Sequence, residues 1–165
     1  MYNFADLPWG ISPAEVEAQL AGRGFELDEV ADHGAQIFRG RLFNEDAAVV
    51  AQFDPRGLAK VGLFLEPDRR RVRDVYENMQ QFLIRKYGPP ENDYRVFEEL
   101  YEDGDGDEDL AIRVGKAHFL TMWPKPNGAA LYVKIDDELN VVIHYESPGW
   151  AAESARREAA EADIL

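Results

Sequence analysis

With 165 residues, 45% of them hydrophobic and 12% aromatic, the chain is long enough for one packed domain and too apolar for general disorder. Asp and Glu outnumber Lys and Arg 32 to 18, giving a formal charge of -14. That field repels nucleic-acid phosphates and anionic membranes, and it suits a basic protein partner, a cation, or simple solubility. The absence of cysteine excludes disulfides and thiolate chemistry, and no apolar run approaches the ~20 residues that span a bilayer.

The opening Met1-Tyr2-Asn3-Phe4-Ala5-Asp6 has neither a basic nor an apolar leader segment. A leader removed upstream aside, the cytoplasm is the expected compartment. The first helix is announced by Ile11-Ser12-Pro13-Ala14-Glu15-Val16. Ser12 is placed to cap the free backbone N–H groups, Pro13 occupies the first helical position and Glu15 completes a capping box. Ile11 and Val16 are spaced for a hydrophobic staple. After Gly22-Arg23-Gly24, the alternation from Phe25 to Val30 predicts a strand. Further strands are expected through Ile37 to Phe43, Ala47 to Phe53 and Leu58 to Leu65, separated by Asn44-Glu45-Asp46 and the turn Asp54-Pro55-Arg56-Gly57. Connections this short cannot be parallel crossovers, so the four strands should form an antiparallel meander.

A second helix, about residues 69 to 87, opens after Pro67-Asp68 and stops at Tyr87-Gly88-Pro89-Pro90. Val72, Val75, Tyr76, Met79, Phe82, Leu83 and Tyr87 recur at helical spacing and predict an apolar stripe packed on a sheet. Strands follow at Tyr94 to Tyr101, Leu110 to Val114, His118 to Trp123, Ala129 to Ile135 and Leu139 to Tyr145. Asn127-Gly128 is a hairpin signal, and Asp136-Asp137-Glu138 supplies the next turn. The Ala-rich end from Trp150 to Ile164, with Glu153 and Arg157 four apart, predicts a terminal helix anchored by Trp150.

The segments Phe4, Leu7-Pro8-Trp9-Gly10 and Ser12-Pro13-Ala14-Glu15-Val16 resemble the start of a widespread, largely uncharacterised group of bacterial proteins in which a Trp-Gly step precedes a short helix. The resemblance continues at Phe82 to Pro90, Leu100-Tyr101-Glu102-Asp103, Thr121-Met122-Trp123 and Val142 to Ser147. The repeated layout of a helix and then strands is also similar to the fold of the beta-lactamase inhibitor proteins and, more loosely, to BamE-like lipoproteins. Those resemblances imply binding of another protein through a curved sheet, and they carry no catalytic residues. The chain lacks the cysteines of the secreted inhibitors and the lipobox cysteine of a lipoprotein.

Among features that could carry chemistry, the run Glu102 to Asp109 is the sharpest. Asp103, Asp105, Asp107 and Asp109 alternate like the first ligands of a calcium loop, and carboxylates suit a hard cation. The pattern then departs: Glu108 stands where a glycine is needed and Val114 where the closing glutamate belongs. The competing readings are a solvated loop and a docking element for a basic partner. Arg69, Arg70 and Arg71, with Arg73, form the only dense basic cluster, a candidate for an acidic partner or phosphate, although a helix N-terminus disfavours it. His33, His118 and His144 are far apart in sequence, and strand spacing could pair the last two for a metal or proton transfer. No nucleophile elbow, phosphate loop or dinucleotide fingerprint is present. Of the tryptophans, Trp9 reads as core, whereas Trp123, followed by Pro124-Lys125-Pro126, reads as the best candidate for a partner contact.

The sequence thus predicts an α+β fold in one domain, 1–165. It comprises two similar halves, about 1–66 and 67–147, plus a C-terminal helix 150–164, with helices on one sheet face and the other face partly open. The expected function is non-enzymatic binding of another protein, of inhibitor, immunity or adaptor type, through that open face. The alternative is a cation- or small-molecule-binding module using loop 102–109. No cofactor is expected unless that loop takes calcium, and neither nucleic acid nor membrane is an expected partner.

Overall fold

A computed structural model describes residues 2–165. The chain runs α1 (Pro13–Ala21), β1 (Glu26–Val30), β2 (Gln36–Leu42), β3 (Glu45–Asp54), β4 (Gly57–Glu66), α2 (Val72–Tyr87), β5 (Asn92–Phe97), α3 (Glu108–Arg113), β6 (Ala117–Met122), β7 (Ala130–Ile135), β8 (Val141–Glu146) and α4 (Trp150–Ala162). The eight strands make one antiparallel sheet ordered β1-β2-β3-β4-β8-β7-β6-β5. Each half is therefore a helix followed by a four-stranded meander, and the last strand of each meander meets the other at the centre of the sheet. That seam pairs Lys60 to Leu65 with Glu146 to Val141.

The expected helix signals act as read. Ser12 Oγ accepts from the Glu15 N–H at 3.2 Å and contacts the Glu15 carboxylate, with Pro13 at the first helical position. Val16 and Leu20 are the buried residues of α1. A 3-10 turn, Arg69–Arg71, capped by Asp68, leads into α2, which buries Val72, Val75, Tyr76, Met79, Gln80 and Leu83. α1 lies over β1 and β4 and α2 over β7 and β8. The core is the row of strand side chains beneath them, including Phe38, Val49, Val61, Leu63, Ile143, Leu131, Val133 and Phe119.

The segment before α1 ties the halves together. Tyr2 Oη donates to Pro124 O (2.6 Å), Trp9 Nε1 to Tyr2 O (3.2 Å) and Tyr87 Oη to Asn3 O (3.3 Å). The Trp9-Gly10 step packs against the β3–β4 turn. Gly10 N–H bonds Leu58 O and Leu58 N–H bonds Ile11 O, each at 2.9 Å. This lays the backbone across Gly57, which sits at φ 125° and whose missing Cβ would fall 2.3 Å from Gly10 O. At the other terminus, α4 caps one end of the sheet. Trp150 lies under Lys60 and Arg157, and Arg157 reaches Phe53 O at 2.5 Å.

The structure corrects two elements. Residues 110–114, expected as a strand, instead form the end of α3, with Arg113 its last residue and Val114 its C-cap. Glu108 and Asp109 favour the positive end of its dipole, Ala111 and Ile112 are buried, and Gly115 at φ 76° ends the turn by bonding Ile112 O. The strand expected from Tyr94 to Tyr101 runs instead from Asn92 to Phe97, because Glu98 to Tyr101 form a turn and Leu100 adopts φ 76°.

Substituting Gly57→Ala combines a disfavoured φ with a backbone collision, and should destabilise the fold by about 2–4 kcal/mol. Gly34→Ala, at φ 82° in open space, should cost only about 1 kcal/mol. Urea unfolding of both variants measures the difference, and equal midpoints would refute the collision.

Candidate functional site

Alternation along each strand sends one set of side chains under α1 and α2 and the other to the opposite face. Two cross-strand rows occupy the middle of that second face. One runs Ile37, Val50, Gly62, His144, Tyr132, Met122, and the next runs Ala48, Phe64, Val142, Lys134, Leu120, Tyr94. Val96 extends the apolar strip at the β5 edge. In the second-half portion Tyr94 and Val96 are 46% and 48% exposed. The rows on either side are charged: Arg41, Asp46 and Glu66 at one margin, Lys60 and Glu146 at the other. The face is thus an apolar and aromatic band with polar borders.

Its centre is a ring cluster. His144 stacks on Tyr132 at 4.7 Å between centroids and meets the Phe64 ring edge-on at 6.1 Å. Gly62 lies opposite His144 in the register, and a Cβ there would approach the Phe64 ring at 3.0 Å and the imidazole at 3.6 Å. The absent side chain makes the space into which the rings lean. Tyr132 Oη donates to Glu146 at 3.2 Å, and Glu146 pairs with Lys60 at 3.3 Å. Burial, reinforced by Lys60 and Lys134, pushes the His144 imidazole down to about 3. It is neutral at neutral pH, and its Nδ1 is buried without a hydrogen-bond partner. Burial also raises the Tyr132 phenol, with the nearby Glu146 carboxylate adding to it. Lys134 makes no ion pair among the described residues, so an unmatched cation stands inside the band.

The residues singled out in the sequence lie elsewhere. Trp123 is corrected from surface contact to core plug: it is fully buried, and its Nε1 donates to Gly88 O at 2.9 Å. The prolines that follow turn the chain back instead of exposing the ring. Arg71 forms a bidentate pair with the buried Glu45, at 2.5 and 2.9 Å, and this raises its own pKa. Arg73 pairs with Asp103 at 3.1 Å and approaches Glu108 at 3.8 Å. Arg69 and Arg70 are exposed and form no ion pair among the described residues.

In the acidic loop, Asp105 accepts the Glu102 and Asp107 N–H groups, each at 2.8 Å, and these bonds hold its carboxyl below the usual range. Asp103 turns to Arg73, while Asp107 precedes α3 and Asp109 lies in its first turn. No group of three or more potential ligand side chains converges for a metal among the described residues. His118 and His144 share the open face, but β7 separates them, and His118 instead lies 3.8 Å from Glu98. His33 sits in the β1–β2 turn.

No helix among the described residues is long and apolar enough to cross a membrane. No known protein family, curated protein or solved structure matches the chain.

Because His144 is held neutral when folded but titrates near ~6.5 when unfolded, its contribution to stability is full above that pH. It is lost as pH falls toward the folded value. From pH 6.5 to 5, above the range where most carboxylates protonate, it contributes a loss approaching ~1.4 kcal/mol per pH unit. His144→Phe should flatten this slope in urea titrations at several pH values; an unchanged slope would show that the imidazole is not the group responsible.

Proposed function

We propose that the chain is a non-enzymatic binding protein, acting in the cytoplasm, that takes another protein against the open face of its sheet. The observation that carries this reading is the apolar band formed by Phe64, Tyr132, Leu120, Met122, Tyr94 and Val96, bordered by charged rows. Apolar and aromatic centres with polar rims are the usual anatomy of protein interfaces. The face exposes Tyr94 and Val96 and leaves Phe64, Leu120, Met122 and Tyr132 partly accessible, and it gains free energy when a partner removes them from water. Several of the side chains are already held by ring packing, which limits the entropy lost on docking. An inhibitor, immunity or adaptor role is the kind of function such a face serves. The charge of -14 adds long-range attraction for a basic partner.

Leu120→Asp places a carboxylate in the band at a position that is only partly buried, so folding should survive. Affinity capture with the tagged wild-type chain and with this variant, washed at high salt, tests the reading. A partner held by the wild type should bind the variant ~30-fold or more weakly, while Arg69→Ala/Arg70→Ala should retain it. Equal capture by wild type and Leu120→Asp, or no stoichiometric partner, would remove the proposal.

A further inference from the structure

The sheet ends in two free edges that are built differently. β1 carries Glu26, Asp28 and Glu29 and has a register break between Leu27 and Glu29. Charge and bulges of this kind blunt an edge against further pairing. β5 has no such break: Asn92 to Phe97 pair continuously with Met122 to Ala117, and the outer strand is exposed from Glu91 to Val96.

The phase of the ladder shows which backbone groups that edge presents. Trp123 N–H bonds Leu131 O, so the backbone groups of Phe119 and Thr121 also turn toward β7. Those of His118, Leu120 and Met122 turn toward β5. The bond from Glu98 N–H to Lys116 O agrees, and the bond from Glu91 N–H to Met122 O marks an irregular start just before the strand. By antiparallel alternation, the N–H and C=O groups of Asp93 and Arg95 point outward, away from the sheet.

We propose that this edge is a self-association surface, on which β5 of a second copy pairs antiparallel with Tyr94 opposite Tyr94. Residues on one face meet only residues on the same face, so the possible registers differ by two. Centred on Tyr94, the pairing sets Asp93 opposite Arg95 twice and joins them through the outward backbone groups. Centred on Arg95 it would oppose two guanidinium groups, and centred on Asp93 two carboxylates, both unfavourable. The strand is therefore self-complementary in one register. Asp93 and Arg95 are 40% and 32% exposed at their side chains despite their contacts within the chain, which leaves each room for a second partner. Pairing would also cover Tyr94 and Val96 and carry the apolar band across the two-fold axis into the second copy.

The test uses the full chain. Light scattering or sedimentation up to about 100 µM, a range that reveals even micromolar self-affinity, should show the mass rising from 18.7 kDa toward twice that value. Tyr94→Lys opposes two ammonium groups at the axis and should stay monomeric, with its melting transition confirming that it folds. Because the chain has no cysteine, single substitutions report register. In a Tyr94-centred pair the two residues 94 occupy a non-hydrogen-bonded site with Cα atoms ~4.5 Å apart, within disulfide range. Tyr94→Cys should therefore crosslink to itself under mild oxidation. Val96→Cys alone should not, yet should crosslink to Asn92→Cys when the two are mixed. A chain that stays monomeric, a dimer that survives Tyr94→Lys, or self-crosslinking of Val96→Cys as fast as Tyr94→Cys would overturn the proposal. Leu120→Asp lies one strand inward, so it separates loss of an outside partner from loss of self-association.

Discussion

The β4–β8 seam is the constraint on which the rest of the molecule depends. Each four-stranded meander alone would carry two exposed edges and one or two helices, too little to bury both its apolar rows and its backbone groups. Joining the last strands of the two meanders removes one edge from each and brings Val61, Leu63 and Leu65 level with Tyr145, Ile143 and Val141 beneath the helices. The same register sets Gly62 beside His144 and Phe64 beside Val142 on the other face. A slip of one residue would exchange the two faces of a strand. Core and open band are thus fixed by one set of pairings, and the band cannot be altered in register without loss of the core.

The seam also explains the inequality of the two edges. Connecting the meanders through their last strands leaves their first strands, β1 and β5, outermost. Beyond its ladder with β6, β5 is held from its helix side by a polar cluster. Tyr76 Oη and Thr121 Oγ1 lie 2.5 Å apart, Gln80 Nε2 donates to Asp93 at 2.9 Å and to Thr121 at 3.0 Å, and Arg95 pairs with Glu77. Burial pushes the Tyr76 phenol up to about 12, which keeps it a neutral hydrogen-bonding group. Buried polar groups that are mutually satisfied specify an arrangement even where their net stabilisation is modest. Here they order the side chains on one face of β5 while its outer backbone groups remain unmatched.

Much of this architecture was legible because its signals are local. The Ser12-Pro13 cap, the glycine stop at Gly88 and the Asp136 turn each operate within a few residues, and each acts as read. The short helix α3 was missed because six residues hold too little periodicity to separate a helix from a strand. Its remaining signals were the acidic first turn and Gly115. Trp123 was misread because a Trp-Pro step marks a strand end without saying which face the indole joins. Its hydrogen bond to Gly88, 35 residues away, could not be seen in either neighbourhood.

The candidate site was illegible for a deeper reason. Phe64, Leu120, Tyr132 and His144 each occupy an ordinary outward position in a strand, with nothing local to distinguish them from solvent-facing residues. They become a site only when β4, β8, β7 and β6 lie side by side, an order set by pairings between residues about eighty apart in sequence. The features most prominent in the sequence, the acidic run and the arginine cluster, proved to engage one another through Arg73 and Asp103 and to stabilise the approach to α2 and α3. Dense charge is conspicuous in a sequence because it must remain near water, and near water it finds local partners. The apolar residues of the open face pack only in part on one another and leave Tyr94 and Val96 about half exposed, which makes their face the stronger candidate for recognition.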